Sequence, residues 1–197
     1  MTDKDFPSEV DLIRAAAAGD HVAYKVIMER YAPLVNAQLY GSVKSTDVED
    51  LLQEVLLSAF RSLKQLNKAQ AIGPWLLRIT RNRIADHYRR ESRQVAVDPV
   101  RSSGSDAGRM ADFPEPSPGP AQRAQTSQVY EQLELAMGQL SDTYRIVLYL
   151  RLREEYTSPE IAKLLGLKES AVRARIKRGL EKLRKELVKR GMRPNQG

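Results

Sequence analysis

Wound as a helix, the stretch ESAVRARIKRGLEKLRKEL (Glu169 to Leu187) separates two chemistries. At about 100 degrees per residue, Ser170, Arg173, Ala174, Lys177 and Arg178 share one arc with Arg175 at its flank, while Val172, Ile176, Gly179, Leu180, Leu183 and Leu187 share the other. Arg and Lys can bridge guanine O6 and N7 or grip phosphates, and small Ser170 and Ala174 let a backbone come close, which suits a helix lying in a major groove. Arg175 fits a phosphate contact better than a base contact. A solvated amphipathic helix would carry the same charges, so the residues in front of it matter.

Those residues read TSPEIAKLLG. Thr157 and Glu160 have capping-box spacing, Ile161, Leu164 and Leu165 form an apolar stripe, and Gly166 tolerates the left-handed conformation that ends many helices. A short capped helix, a glycine turn and a second helix with a basic outward arc make a helix-turn-helix unit. The coincidence of the three signals favours DNA binding over a merely solvated face.

Two further groups lie upstream. Asp47, Asp50, Gln53 and Glu54 sit off the apolar stripe of Val48, Leu51, Leu52, Val55, Ala59, Leu63 and Leu66, with no basic residue at the same steps, so a protein partner with a basic surface is expected there. From Arg78 to Arg93 the balance reverses, with six arginines against two acids and Trp75, Asn82, His87 and Tyr88 interspersed. Cations that hold a phosphate backbone beside aromatics that stack on bases are what single-strand readers use. Trp75 itself, at a helix start, fits a core position as well as a stacking wedge.

The elements that must position these groups all read as helices, and no segment alternates with period two, so the expected fold is all-α. Ser8 with Asp11 caps a first helix broken by Gly19, and Asp20 caps a second carrying Val22, Ala23, Ile27, Met28, Tyr31, Leu34 and Val35. Pro74 suits the first turn of the arginine-rich helix. A further apolar helix, about Ser141 to Arg153, carries Ile146, Val147, Leu148, Leu150 and Leu152. From Asp98 to Pro120 there are five prolines, three glycines and almost no periodic apolar residue, which reads as a tether. The expected organisation is a domain at 8–93, a flexible linker at 94–126 and a domain at 127–190. Charge follows this division: residues 1–60 hold five Lys or Arg against ten Asp or Glu, and residues 151–197 hold fourteen against six. An acidic front and a basic rear suit two partners of opposite sign.

Other chemistries find little to use. The 197 residues include no cysteine, and His21 and His87 are far apart, so disulfides, thiolate sites and a zinc centre are not expected. There is no glycine-rich phosphate loop and no nucleophile elbow, so neither an enzyme nor a cofactor is expected. The start MTDKDFPSEV lacks a secretory signal and no apolar run reaches a membrane span, which points to the cytoplasm without membrane insertion.

With these residues in place, the sequence resembles the sigma factors of bacterial RNA polymerase, specifically the small extracytoplasmic-function group of the sigma-70 family. DVEDLLQEVLLSAF is similar to the acidic core-binding helix of region 2, WLLRITRNRIADHYRR to the following promoter-melting helix, and LSDTYRIVLYLRLREEYTSPEIAKLLGLKESAVRARIKRGLEKLR to region 4. The resemblance implies that Asp47, Asp50, Gln53 and Glu54 dock on the clamp coiled coil of the largest subunit of core polymerase. It implies a minus-10 surface of Asn67, Lys68, Trp75, Arg78, Arg81, Asn82, Arg83, Arg89 and Arg90, in which the loop at about Asn67 to Ala71 captures a flipped base. The minus-35 element would be read by Ser170, Arg173, Ala174, Arg175, Lys177 and Arg178, and an anti-sigma factor would restrain the protein. Lys168 stands where the family often has a capping serine or threonine, so that helix would start less firmly or use Ser170. The tether would leave the angle between the domains unfixed until polymerase imposes it. The contrasting possibility is a helix-turn-helix transcriptional regulator with a helical sensor or partner-binding front domain.

Overall fold

Each helix starts and stops where local chemistry allows. The amide of Asp11 donates to Ser8 Oγ at 3.2 Å and opens α1 (Glu9–Ala18), which closes at Gly19 in the left-handed region, φ +106°. Asp20 accepts from the amides of Val22 and Ala23 at 2.8 and 3.0 Å and opens α2 (His21–Leu39). α3 (Ser45–Ser62) ends in a 3-10 turn, Leu63–Gln65, and α4 (Ile72–Val97) carries Pro74 in its first turn. α5 (Pro120–Gly138), α6 (Asp142–Leu152), α7 (Ser158–Leu165) and α8 (Glu169–Lys189) follow. The structure is a computed structural model and describes residues 8–66, 72–97 and 120–192; among these there is no strand.

α4 and α5 reach further into the linker than the composition suggested, to Val97 and from Pro120. Good helix formers such as Gln94, Ala96 and Gln122 flank the Pro/Gly stretch, and proline is well suited to a first helical position. The rest of the tether, 98–119, lies outside the described residues.

Two clusters hold the helices together. Val35, Leu39, Val43, Leu51 and Val55 lock α2 to α3. A larger cluster runs from Leu12 and Ile13 through Ile27, Leu34 and Leu76 to Leu148, Ile161 and Leu183. Leu34, Leu76, Leu148 and Ile161 are inaccessible to solvent, each burial contributing about 1.5–3 kcal/mol. This second cluster crosses from the front helices to the rear ones. The expectation of an unfixed angle between domains is therefore corrected: α2 packs on α6 and α7 on α4, because both units leave apolar side chains at the seam.

Val22 and Leu152, which fall in the apolar patterns of their helices, lie at the surface. Val22 is 73% exposed, since it occupies the first turn of α2, on the far side from Ala23 and Ile27. Leu152, at the last position of α6, is also exposed, because the chain turns there toward α7.

Candidate nucleic-acid interface

The rear unit is built on the capping box. The amide and hydroxyl of Thr157 both donate to the Glu160 carboxylate, at 2.7 and 2.6 Å, and these bonds hold the Glu160 carboxyl below its usual range. Glycine at 166 has φ +64°, which lets the chain reverse into α8 within a few residues. Val172 and Leu183 anchor α8, and at Gly179 it crosses α6 so closely that a Cβ there would lie 3.1 Å from Leu148 Cγ.

The opposite arc of α8 is open. Ser170, Arg173, Ala174, Lys177 and Arg178 are exposed, and Arg175 is half-buried at the flank. Arg173 pairs with Glu169 one turn back at 3.1 Å, between exposed groups that a phosphate can displace. Lys168 is the N-cap and makes no side-chain capping bond; Ser170 lies inside the first turn and does not take over that role. Leu180 departs from its inward assignment and is 43% exposed, because α8 meets α6 at Gly179 and the next residue is turned about 100 degrees away.

In the front unit Asp50 and Gln53 face solvent on α3. Asp47 and Glu54 do not form the unpaired acidic patch expected. His87 Nε2 lies 3.3 Å from Asp47, and Arg90 approaches both Glu54 oxygens at 3.0 and 3.1 Å. The partners come from α4, which lies antiparallel beside α3 after a turn, so helical spacing along α3 alone does not reveal them. Lys44 and Glu91 add a third rung at 2.6 Å, a bond that raises the Lys44 pKa and lowers that of Glu91.

α4 divides its own residues. Trp75 is 8% exposed and belongs to the core with Ile72 and Leu76, which corrects its assignment to a stacking surface: a large apolar ring one turn into a packed helix gains more from burial than from solvent. Arg78 and Asn82 are exposed. Asn82 and Arg83 line a groove of about 430 Å³ with Ser58, Arg61, Ser62 and Gln65 at the end of α3. The latter four were missed in the sequence, although their three- and four-residue steps continue the polar face of Asp47, Asp50 and Glu54 along one edge of the apolar stripe. Arg83 and Arg89 both pair with Asp86, Arg90 is committed to Glu54, and Arg81 Nε lies 3.9 Å from Asp142 of α6. Asn67 and Lys68, with the rest of the loop to Ala71, lie outside the described residues.

A basic helix beside a polar groove, an acid-bearing helix clasped to it and a basic helix-turn-helix describe a protein that reads DNA while attached to something else. The comparisons with known proteins agree. Residues 27–94 match Sigma-70 region 2 and residues 130–183 match Sigma-70, region 4. RNA polymerase sigma factor CnrH of Cupriavidus metallidurans is 32% identical over 187 residues, covering 90% of this chain and 94% of that one. ECF RNA polymerase sigma factor SigE of Mycolicibacterium smegmatis is also 32% identical, covering 88% and 66%. The probable RNA polymerase sigma factor RfaY of Xanthomonas campestris pv. campestris is 34% identical, and this chain spans 43% of its length. Among solved structures, CnrH in complex with the cytosolic domain of CnrY aligns with a TM-score of 0.53 at 26% identity, covering 93% of this chain and 99% of that one. The chain belongs to the sigma-70 family of RNA polymerase sigma factors, in its extracytoplasmic-function group. Its work is transcription initiation, and the regulator with a sensor domain is not favoured, since the front unit is itself a sigma region.

Proposed function

We propose that the chain docks on the clamp coiled coil of core RNA polymerase through Asp47, Asp50, Gln53 and Glu54 and places two promoter readers on DNA. Ser170, Arg173, Ala174, Lys177 and Arg178, with Arg175 on a flanking phosphate, read the minus-35 duplex. Arg78, Arg81, Asn82, Arg83, Arg89 and Arg90, with the loop that includes Asn67 and Lys68, hold the minus-10 strand as it opens. Unstacking a base costs a few kcal/mol, which trapping of the displaced base in the groove beside Asn82 would offset. The protein would act in the cytoplasm, without catalysis of its own, with residues 8–93 and 127–190 as its units. No helix among the described residues is long and apolar enough to cross a membrane. Since the CnrH structure holds the cytosolic domain of CnrY, an anti-sigma partner is part of the reading.

The observation that carries it is the open basic arc of α8 on a capped helix-turn-helix, joined in one chain to an acid-bearing helix. Run-off transcription tests it: purified chain added to sigma-free core polymerase should yield a transcript of defined start. A protein that alters initiation only when another sigma factor is present would contradict the proposal.

A further inference from the structure

α8 is longer than the part of it assigned to DNA. From Ser170 to Arg178 the reading arc covers about 12 Å at about 1.5 Å per residue, which is about the width of a major groove. The helix then runs on to Lys189, about 16 Å further. Leu183 is buried and Leu187 packs on the same core, so the second half continues the first as one seated helix.

From Gly179 to Arg190 there are five cations, and their contacts sort them. Lys182 Nζ lies 5.5 Å from the centre of the Tyr144 ring. Lys189 pairs with Glu186 at 2.7 Å, and Arg190 donates to the Leu135 carbonyl at 3.5 Å. Arg184 and Lys185 are exposed and have no partner among the described residues.

Projection gives this sorting a direction. At about 100 degrees per residue, Arg184 falls between Arg173 and Lys177 around the helix, and Lys185 between Ala174 and Arg178. The three engaged cations fall outside that arc. Glu181 falls on it and parts the two basic groups. A merely solvated face has no reason to leave free the two cations in register with the arc while engaging those off it.

Position along the axis decides what the pair can reach. A straight helix seated in a groove leaves it at the rim, where phosphates stand and base edges are out of range. Arg184 and Lys185 lie about 9–10 Å past Arg178, at that rim.

We propose that Arg184 and Lys185 form a second phosphate anchor, gripping the duplex backbone beyond the bases that α8 reads and fixing how the helix lies in the groove. The anchor rests on the assignment of α8 to the minus-35 duplex. Phosphate contacts position a protein without specifying sequence, so this one adds affinity and register but no base preference.

Anisotropy of a labelled minus-35 duplex with the full-length chain tests it, using Arg184→Gln with Lys185→Gln. Two lost phosphate contacts lower the slope of log affinity against log salt by about 0.9 each, so the ratio of wild-type to variant affinity should widen about tenfold as salt falls from about 200 to about 50 mM. Preference for minus-35 over scrambled duplex should not change. Arg184→Lys with Lys185→Arg, which keeps both charges, should retain the wild-type slope. Trimming the duplex flanks one at a time should weaken the wild type at one flank only, and the Gln variant at neither. Equal salt slopes, or equal responses to trimming, overturn the anchor. So does a fall in run-off transcription with duplex binding unchanged, which would give the pair to a protein partner. A wild-type chain that does not distinguish minus-35 from scrambled duplex defeats the assignment of α8 itself.

Discussion

Arg90 on α4 reaches across to Glu54 on α3 and contacts both carboxylate oxygens, at 3.0 and 3.1 Å, so a residue assigned to DNA holds one assigned to polymerase. Each surface partly neutralises the other in the free chain. Because both groups are more than a third exposed, the pair contributes at most about 1 kcal/mol to stability and a partner can displace it.

Charge reversal on this face should therefore separate docking from folding. Asp50→Lys with Glu54→Lys is expected to abolish co-purification with core polymerase, lower stability by no more than about 1 kcal/mol, and leave binding of an isolated minus-35 duplex intact. Size-exclusion chromatography with core enzyme and fluorescence anisotropy with duplex measure the two arms. Undiminished co-purification would remove Asp50 and Glu54 from the docking surface.

For the α8 arc, the salt dependence of duplex binding discriminates base from phosphate contacts. Arg178→Ala or Lys177→Ala at a base edge should cost about 1–3 kcal/mol and relax sequence preference; at a phosphate it should weaken all sequences alike and reduce the salt slope by about one. Titrations at several salt concentrations give the answer, and an unchanged curve excludes the residue from contact.

The capping box gives a pH prediction of definite sign. Hydrogen bonds from Thr157 hold the Glu160 carboxyl below its usual range, so the folded pKa is lower than the unfolded one. The stability from this site is complete above the ordinary carboxylate range near pH 4 and is lost as pH falls through the lower folded value. Thr157→Ala should cost about 1 kcal/mol at pH 7. Urea unfolding of wild type and Glu160→Gln should differ at pH 7 and converge at acid pH; a gap that does not narrow contradicts the assignment.

At Gly179, Leu148 Cγ and Cδ1 would meet an added Cβ at 3.1 and 3.2 Å. Gly179→Val should force α8 from α6, costing about 1–3 kcal/mol and weakening minus-35 binding through misplacement of the arc. Thermal unfolding followed by anisotropy of the folded fraction tests both effects.

Trp75, the one tryptophan of the chain, reports on core packing. Trp75→Ala should destabilise by about 3–5 kcal/mol, whereas Trp75→Phe should retain promoter opening in permanganate footprinting. Loss of opening in a stable Trp75→Phe protein would return the ring to a DNA-facing role.

What the sequence makes legible is what neighbours in sequence decide. Ser8, Asp20, Thr157 and Glu160 cap because a side chain and an amide two or three residues apart meet, Gly166 because glycine accepts the left-handed conformation that ends α7, and the α8 arc follows from angular projection alone. The pairing of Asp47 with His87 and Glu54 with Arg90 depends on the register between two helices, which no single periodicity encodes. Trp75 was ambiguous because interfaces and cores use the same ring chemistry. Gly73 in isolation reads as a weak helix residue; its purpose exists only against Leu164, more than ninety positions away in the chain.

The continuous apolar cluster running from Leu12 to Leu183 also governs how the molecule comes apart. A chain whose stretches match two separate sigma-70 regions is thereby made one thermodynamic unit: calorimetry should record a single endotherm with matching calorimetric and van't Hoff enthalpies. Damage at either end is then felt as a lowered midpoint by both.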